Sequence, residues 1–334
     1  MRPLLIVLFA LASQCACAAS LAPAPADGSG WSIDLPLEAA GRVDDLLLAE
    51  MSGLVASRRY PGVLWAHNDS GSPPALFALN ERFETMVPPY LAARYGRGDG
   101  TDREPWPGIA LVDASNIDWE DIARIDDLLY LADTGNNGNA RRDLGFWELT
   151  EPVPDGVAQA RPMRYLGVHY PEQQAFPGRV WEWDCEAVFS DGGVLYLITK
   201  HRTPGDVRAM IPGARLYRFD PATARPNSTP LTLVSRHEGL TAATGADLSP
   251  DGRLLAVLTY SSLWLFPRPQ EGDDWLAGRP WIQRLPLLRT RQAEAITWLD
   301  DRRLLIGNEE GALFTLEVDP ERLAAAERRG AAGV

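Results

Sequence analysis

Cysteine is nearly absent from this chain: three occur in 334 residues, at positions 15, 17 and 185. The first two fall in an N-terminal stretch that reads as a removable leader, and a single remaining thiol forms no internal disulfide. The fold must therefore stand on its apolar core. Basic runs are lacking too, because the net charge is −13 and charges of both signs are interspersed. That excludes the basic face needed for nucleic acid or an anionic membrane. Lysine occurs once, as Lys200, and histidine four times. No Gly-x-Ser-x-Gly elbow and no zinc-type spacing accompany them, which leaves serine-hydrolase and zinc readings weak. The glycine-rich stretches have no helix following them, so no nucleotide or dinucleotide cofactor loop is expected.

Long apolar runs are also missing. The longest, Leu4 to Leu11, follows Arg2 and leads into Ala16-Cys-Ala18. It is too short to span a bilayer, so no transmembrane segment is expected, and its grammar is that of a secretory signal. We expect a secreted or periplasmic protein, cleaved near Ala18 or Ala19. Lipidation of Cys15 or Cys17 is the lesser alternative, since neither is preceded by a leucine-rich box. The expected organisation is a signal peptide over 1–19, a flexible leader over 20–30, one domain over 31–319 and a C-terminal tail over 320–334.

What is present is repetition. Asp118-Trp-Glu-Asp-Ile-Ala123, Asp184-Cys-Glu-Ala-Val-Phe189, Thr244-Gly-Ala-Asp-Leu-Ser249 and Ala293-Glu-Ala-Ile-Thr-Trp298 each lead through a polar turn into a second apolar strand. A looser copy, Met51-Ser-Gly-Leu-Val55, lies upstream. Aligned on the first strand, the heads are Ser52, Glu120, Glu186, Thr244 and Glu294, spaced 68, 66, 58 and 50 residues apart. An irregular period of this size, with several strands in each repeat, predicts an all-β fold of blades: a five-bladed β-propeller. Six blades would require one hidden in 84–108, a segment rich in Gly and Pro. The fifth repeat lacks a fourth strand, and the alternating Trp31 to Leu37 is the candidate to complete it and close the ring.

In such blades the start of the first strand and the end of the second share one face, so the five heads converge on one mouth of the central channel. The second-strand tips stand around them and bring His67, Asp69, Asp133, Lys200 and His201 to the same face as candidate catalytic groups. A histidine bonded to a neighbouring loop is the plainer reading of His67 and His201. For Lys200 the plainer reading is a chance survivor in an arginine-biased composition. Three glutamates about a narrow axis raise one another's pKa unless something positive lies between them. Oxygen ligands from Ser52, Glu120, Glu186, Thr244 and Glu294 suit a hard cation, and a flexible ring suits Ca²⁺ better than Mg²⁺. One calcium ion on the axis is the expectation. The alternative is a channel of waters with one or two of the carboxylates protonated.

The order Ser, Glu, Glu, Thr, Glu, with the last in Glu294-Ala-Ile, resembles the ring of calcium-dependent apyrases. These are secreted five-bladed propellers that hydrolyse nucleoside di- and triphosphates. The resemblance implies that the five heads are metal ligands and that Asp69 matches an acidic tip of the first blade. The chain also resembles, more closely, secreted bacterial propellers with His67-Asn-Asp-Ser-Gly71, Asp118 to Ala123, Ala132-Asp-Thr-Gly-Asn-Asn137 and Thr244 to Gly252, a set that implies fold and export and no activity. Three functions follow as expectations. The first is a calcium-dependent hydrolase of phosphate esters or nucleotides, with Asp69 or Asp133 activating water. The others are a lactonase-like ester hydrolase and a non-catalytic propeller whose mouth binds a small molecule or extracellular ligand around a structural calcium. A monomer is expected in each case.

Overall fold

The computed structural model describes residues 30–96 and 102–332. The signal segment with Cys15 and Cys17, most of the leader, and Gly98 and Gly100 of the insertion lie outside the described residues.

Five antiparallel sheets form five blades. Their inner strands are Met51–Ala56, Trp119–Ile125, Trp181–Asp191, Ala243–Leu248 and Ala293–Trp298. Each inner strand touches the next around the circle, and the last returns to the first, so the ring is closed. Hairpins connect the first and second strands of a blade, and their geometry uses positive φ at Asp126 and at Gly192 and Gly193. The chain is a five-bladed β-propeller.

The sequence pattern makes the blades pack. Alternate residues of each inner and second strand point into the layers between blades, and most are buried. Between blades three and four, the Phe189 ring stacks on Tyr196 at 4.9 Å and meets Trp275 edge-on at 5.9 Å. Six tryptophans, Trp65, Trp106, Trp119, Trp264, Trp275 and Trp298, are among the largest fully buried side chains. Burying each large apolar side chain of this kind contributes about 1.5–3 kcal/mol.

Closure differs in detail from the expectation. Trp31–Ile33 does not complete blade five; it adds a parallel fifth strand beside Trp281–Arg284 of blade four. The strand that completes blade five is Leu37–Arg42, antiparallel to Ala312–Glu317. Pro36, which lacks an N–H, separates the two pieces. Similar handovers occur elsewhere. Gln159–Ala160 pairs in parallel with blade one, and Thr229–Pro230 with blade two. The C-terminal segment forms a helix, Pro320–Ala332.

Halfway along the channel, side chains staple the inner strands together. The buried Asp121 carboxylate accepts N–H bonds from Ile122 and Val188, both at 2.8 Å, and from Ala246 at 3.2 Å, joining blades two, three and four. Asp247 similarly accepts from Trp298 N at 2.8 Å and Thr297 Oγ1 at 2.9 Å in blade five. A buried carboxylate surrounded by amide donors is a structural device, because those donors replace its hydration.

Candidate site at the channel mouth

Ser52, Glu120, Thr244 and Glu294 are the second residues of their inner strands and Glu186 lies midway along the longer Trp181–Asp191; all five heads are buried. They divide into two kinds. Ser52 Oγ donates to the Glu120 carbonyl, and Thr244 Oγ1 donates to the Ala293 carbonyl at 2.9 Å. Each hydroxyl thus ties its blade to the inner strand of the next one.

The three glutamates lie near a cation that the chain itself supplies. Lys200, at the end of the second strand of blade three, is fully buried and ion-paired with Glu186. Its ammonium also donates to Tyr260 Oη at 3.1 Å and lies 4.9 Å from the centre of that ring. Burial, then Arg202, lowers the Lys200 pKa against the pull of Asp184, Glu120 and Glu294. Arg202 reaches Asp184 at 2.7 Å and Glu186 at 3.1 Å, and its remaining N–H groups are taken by Asn137 and the Val207 carbonyl. Asp184 in turn accepts from Asn136 N at 2.7 Å. Two carboxylates and two cations form a balanced, buried network. The compensation expected from an ion on the axis is supplied here by side chains, which shifts attention to the carboxylates they leave out.

Those are Asp69, Asp118 and Glu120. One oxygen of each lies within 4.8 Å of the others, and no salt bridge to any of them occurs among the described residues. Asp69 follows the second strand of blade one and accepts from its neighbour Ser70 N. Asn116 Nδ2 clamps that tip by donating to the Asp69 carbonyl at 2.8 Å. Asp118 is fixed through its backbone, whose N–H donates to Asp133 Oδ1 at 3.1 Å and whose carbonyl accepts from Gly135 N at 3.1 Å. At Gly135 a Cβ atom would run into the carboxylates of Glu120 and Asp118, so only glycine leaves their cradle open. Burial first, then Asp69 and Asp184, pushes Asp118 up to about 6. Burial also raises Asp69, and burial with Asp69 and Asp118 raises Glu120 well above the usual carboxylate range. This acidic cluster could hold a metal ion, and an all-oxygen donor set suits a hard one. A second group, Glu120, Asp184 and Glu186, is similarly close, but two of its three members, Asp184 and Glu186, are already paired with Arg202 and Lys200.

The other candidates are distributed unevenly. Asp133 is buried and bonded to Arg141 Nη2 at 2.8 Å, so it orients Arg141 and the Asp118 backbone and is shielded from solvent. His67 is buried inside blade one, with Nδ1 3.0 Å from the Asn68 carbonyl and its ring edge-on to Trp119. A Cβ at Gly53 would strike it, which explains that glycine. Burial pushes the His67 pKa down to about 4. His201 packs against Gly213, and burial with Arg236 brings it to about 4 as well. Both imidazoles are neutral packing groups at neutral pH. Glu294 meets Glu309: burial first, then Glu309, raises its pKa to about 8.

Asp118 and Asp184 were not among the candidate site residues read from the sequence. The available signal was the Asp-x-Glu at the head of both blades two and three, since residues i and i+2 of a strand share a face.

No protein-family model and no curated protein matches the sequence. Several solved structures are similar in shape. The PQQ-bound aldose sugar dehydrogenase of Streptomyces coelicolor is 10% identical, covering 87% of this chain and 100% of its own, with a TM-score of 0.49. The PQQ domain of a Coprinopsis cinerea pyranose dehydrogenase is 11% identical over 88% and 98%, with a TM-score of 0.44. A luciferin-regenerating enzyme is 9% identical over 85% and 81%, with a TM-score of 0.40. None of the three reaches a TM-score of 0.5, and no residue role passes from them to this chain. No helix among the described residues is long and apolar enough to cross a membrane.

Proposed function

We propose that this propeller is a secreted, cation-dependent hydrolase of phosphate esters that acts at the channel mouth. Asp69, Asp118 and Glu120 would hold one hard divalent cation, calcium by the oxygen-only, irregular donor set. The observation that carries the reading is a cluster of three mutually close carboxylates without an ion-pair partner, two of which, Asp69 and Asp118, remain partly open to the mouth. A closed structural ion would be walled in on all sides, whereas Asp69 and Asp118 are only partly buried.

When bound, such a cation supplies Lewis-acid polarisation of an ester oxygen. The remaining work falls to the chain. Arg141, held by Asp133 and Asp143, offsets part of the negative charge around Asp118. Glu294, whose pKa burial and Glu309 raise to about 8, can give a proton to a leaving group that reaches the axis. Lys200 and Arg202 keep Glu186 and Asp184 from repelling that substrate.

The test is the thermal midpoint after EDTA treatment, with Ca²⁺, Mg²⁺ or Zn²⁺ restored, alongside hydrolysis of p-nitrophenyl phosphate and p-nitrophenyl acetate. Calcium should raise the midpoint in wild type but not in Asp118→Asn or Glu120→Gln, and phosphate-ester hydrolysis should follow calcium. A calcium shift without hydrolysis would turn the site into a binding module. Indifference to chelation, with no metal copurifying, would remove the cation altogether.

A further inference from the structure

A second cavity, of about 450 Å³, lies off the axis beside the outer strands of blade two. Its size falls in the range of small-molecule sites, roughly 300–1,000 Å³. Leu144, Val168 and Tyr170 form an apolar floor that is part of the core between blades two and three. Phe176 is half-buried on one side of it.

Its charge sets it apart. The chain has 45 acidic residues, yet none lines this cavity, whereas Arg141 and Arg142 both do. Arg141 is occupied by Asp133 and Asp143. Arg142 has no carboxylate within ion-pair distance among the described residues; its guanidinium lies 4.3 Å from the centre of the Phe176 ring. Stacking of this kind holds the guanidinium plane while its N–H edge stays available for a bidentate acceptor. Across the cavity, His169 Nδ1 is 2.7 Å from Ser228 Oγ, which orients the imidazole and leaves Nε2 for another partner. Gln173, with Nε2 donating to the Asn139 carbonyl at 2.8 Å, makes that wall rigid.

An apolar floor, a stacked and unpaired guanidinium and the exclusion of carboxylates are complementary to a flat molecule with a negative group at one end. We infer that this cavity binds a small aromatic carboxylate, its ring over the floor and against Phe176 and its carboxylate on the Arg142 fork. The inference does not depend on the cation at the mouth.

The experiment is titration calorimetry of the full chain in EDTA, which removes the mouth cation from the result, with 2-naphthoate as probe. The comparison ligands are 2-naphthalenemethanol, which keeps the ring and lacks the charge, and acetate, which keeps the charge and lacks the ring. Naphthoate should bind with a dissociation constant below about 1 mM, and both comparison ligands at least about tenfold more weakly. Arg142→Met should weaken naphthoate by about tenfold or more without moving the thermal midpoint, because Arg142 is exposed and makes no structural ion pair. Phe176→Ala should weaken it as well. No binding up to about 10 mM, equal binding of the neutral alcohol, or indifference to Arg142→Met would each overturn the assignment.

Discussion

Blades two and three begin alike, with an aspartate two residues before a glutamate, yet the two pairs live under opposite electrostatic conditions. Asp184 and Glu186 are enclosed with Lys200 and Arg202 and accept hydrogen bonds from blade two as well as their own. Asp118 and Glu120 form no salt bridge among the described residues, and Asp69 from blade one adds a third negative group. The first pair is a joint between blades, and the second belongs to a cluster that could hold a metal ion. Burial of carboxylates at a propeller mouth therefore does not by itself identify a function. Function is marked by what remains after the chain's own cations have been assigned.

That contrast can be broken most forcefully at Lys200. Lys200→Met should destabilise the fold by about 3–5 kcal/mol, because Glu186 is left buried with only part of Arg202 to balance it. Urea unfolding measures this, and a loss below about 1 kcal/mol would mean that the network is not a joint. Next in size is calcium itself. At about a hundredfold excess over its dissociation constant it should add roughly 2.7 kcal/mol to wild type, visible as a higher thermal midpoint, and little to Asp118→Asn.

A smaller effect sharpens the contrast without metal. The folded-state pKa of Asp118 is raised, so the folded protein holds more protons than the unfolded chain between about 4 and 6, and stability falls as pH rises through that window. Asp118→Asn should then be about 1–2 kcal/mol more stable than metal-free wild type at pH 7, with the gap closing by pH 4. The buried histidines act in the other direction. His67 and His201, lowered to about 4, lose stability as pH falls from about 6.5 toward 4, equally in both proteins, so the difference between the two curves isolates Asp118. The smallest effect concerns the hydroxyl heads. Ser52→Ala and Thr244→Ala should each cost about 1 kcal/mol, as lost hydrogen bonds between blades, and leave the calcium shift intact; loss of the shift would make them ligands.

The blades were legible because the second strand of each blade, buried on both faces, leaves a nearly continuous apolar run, and these runs recur behind inner strands with polar heads. The closing strand was harder. Leu37–Arg42 reads Leu-Glu-Ala-Ala-Gly-Arg and lies at an outer edge, mostly exposed, so it carries little apolar alternation. Trp31 to Ile33 has that alternation and was drawn to the wrong blade. The two-residue pairings at Gln159–Ala160 and Thr229–Pro230 are too short to leave any pattern. At the mouth, the heads could be aligned from sequence, but the assignment of partners could not. Lys200 stood out as a lone lysine, yet only the register of the second strand opposite Asp184 and the reach of its side chain toward Tyr260 reveal it as the counter-charge of Glu186.

The N-terminal handover has a consequence in time. The four-stranded cores of blades one to four can each assemble from a contiguous stretch of chain, but the core of blade five needs Leu37–Arg42 beside Ala312–Glu317, residues from opposite ends of the domain. The clasp is doubled, since the Trp31 and Trp281 rings pack at a tilt with centres 5.4 Å apart and Trp281 Nε1 donates to the Leu323 carbonyl of the C-terminal helix. A nascent chain can thus build most of its blades as they are made and still be an open crescent until the last one emerges. Sealing that crescent is a late event of high contact order, and a tug on the two ends of the domain would load this clasp before any other joint of the ring.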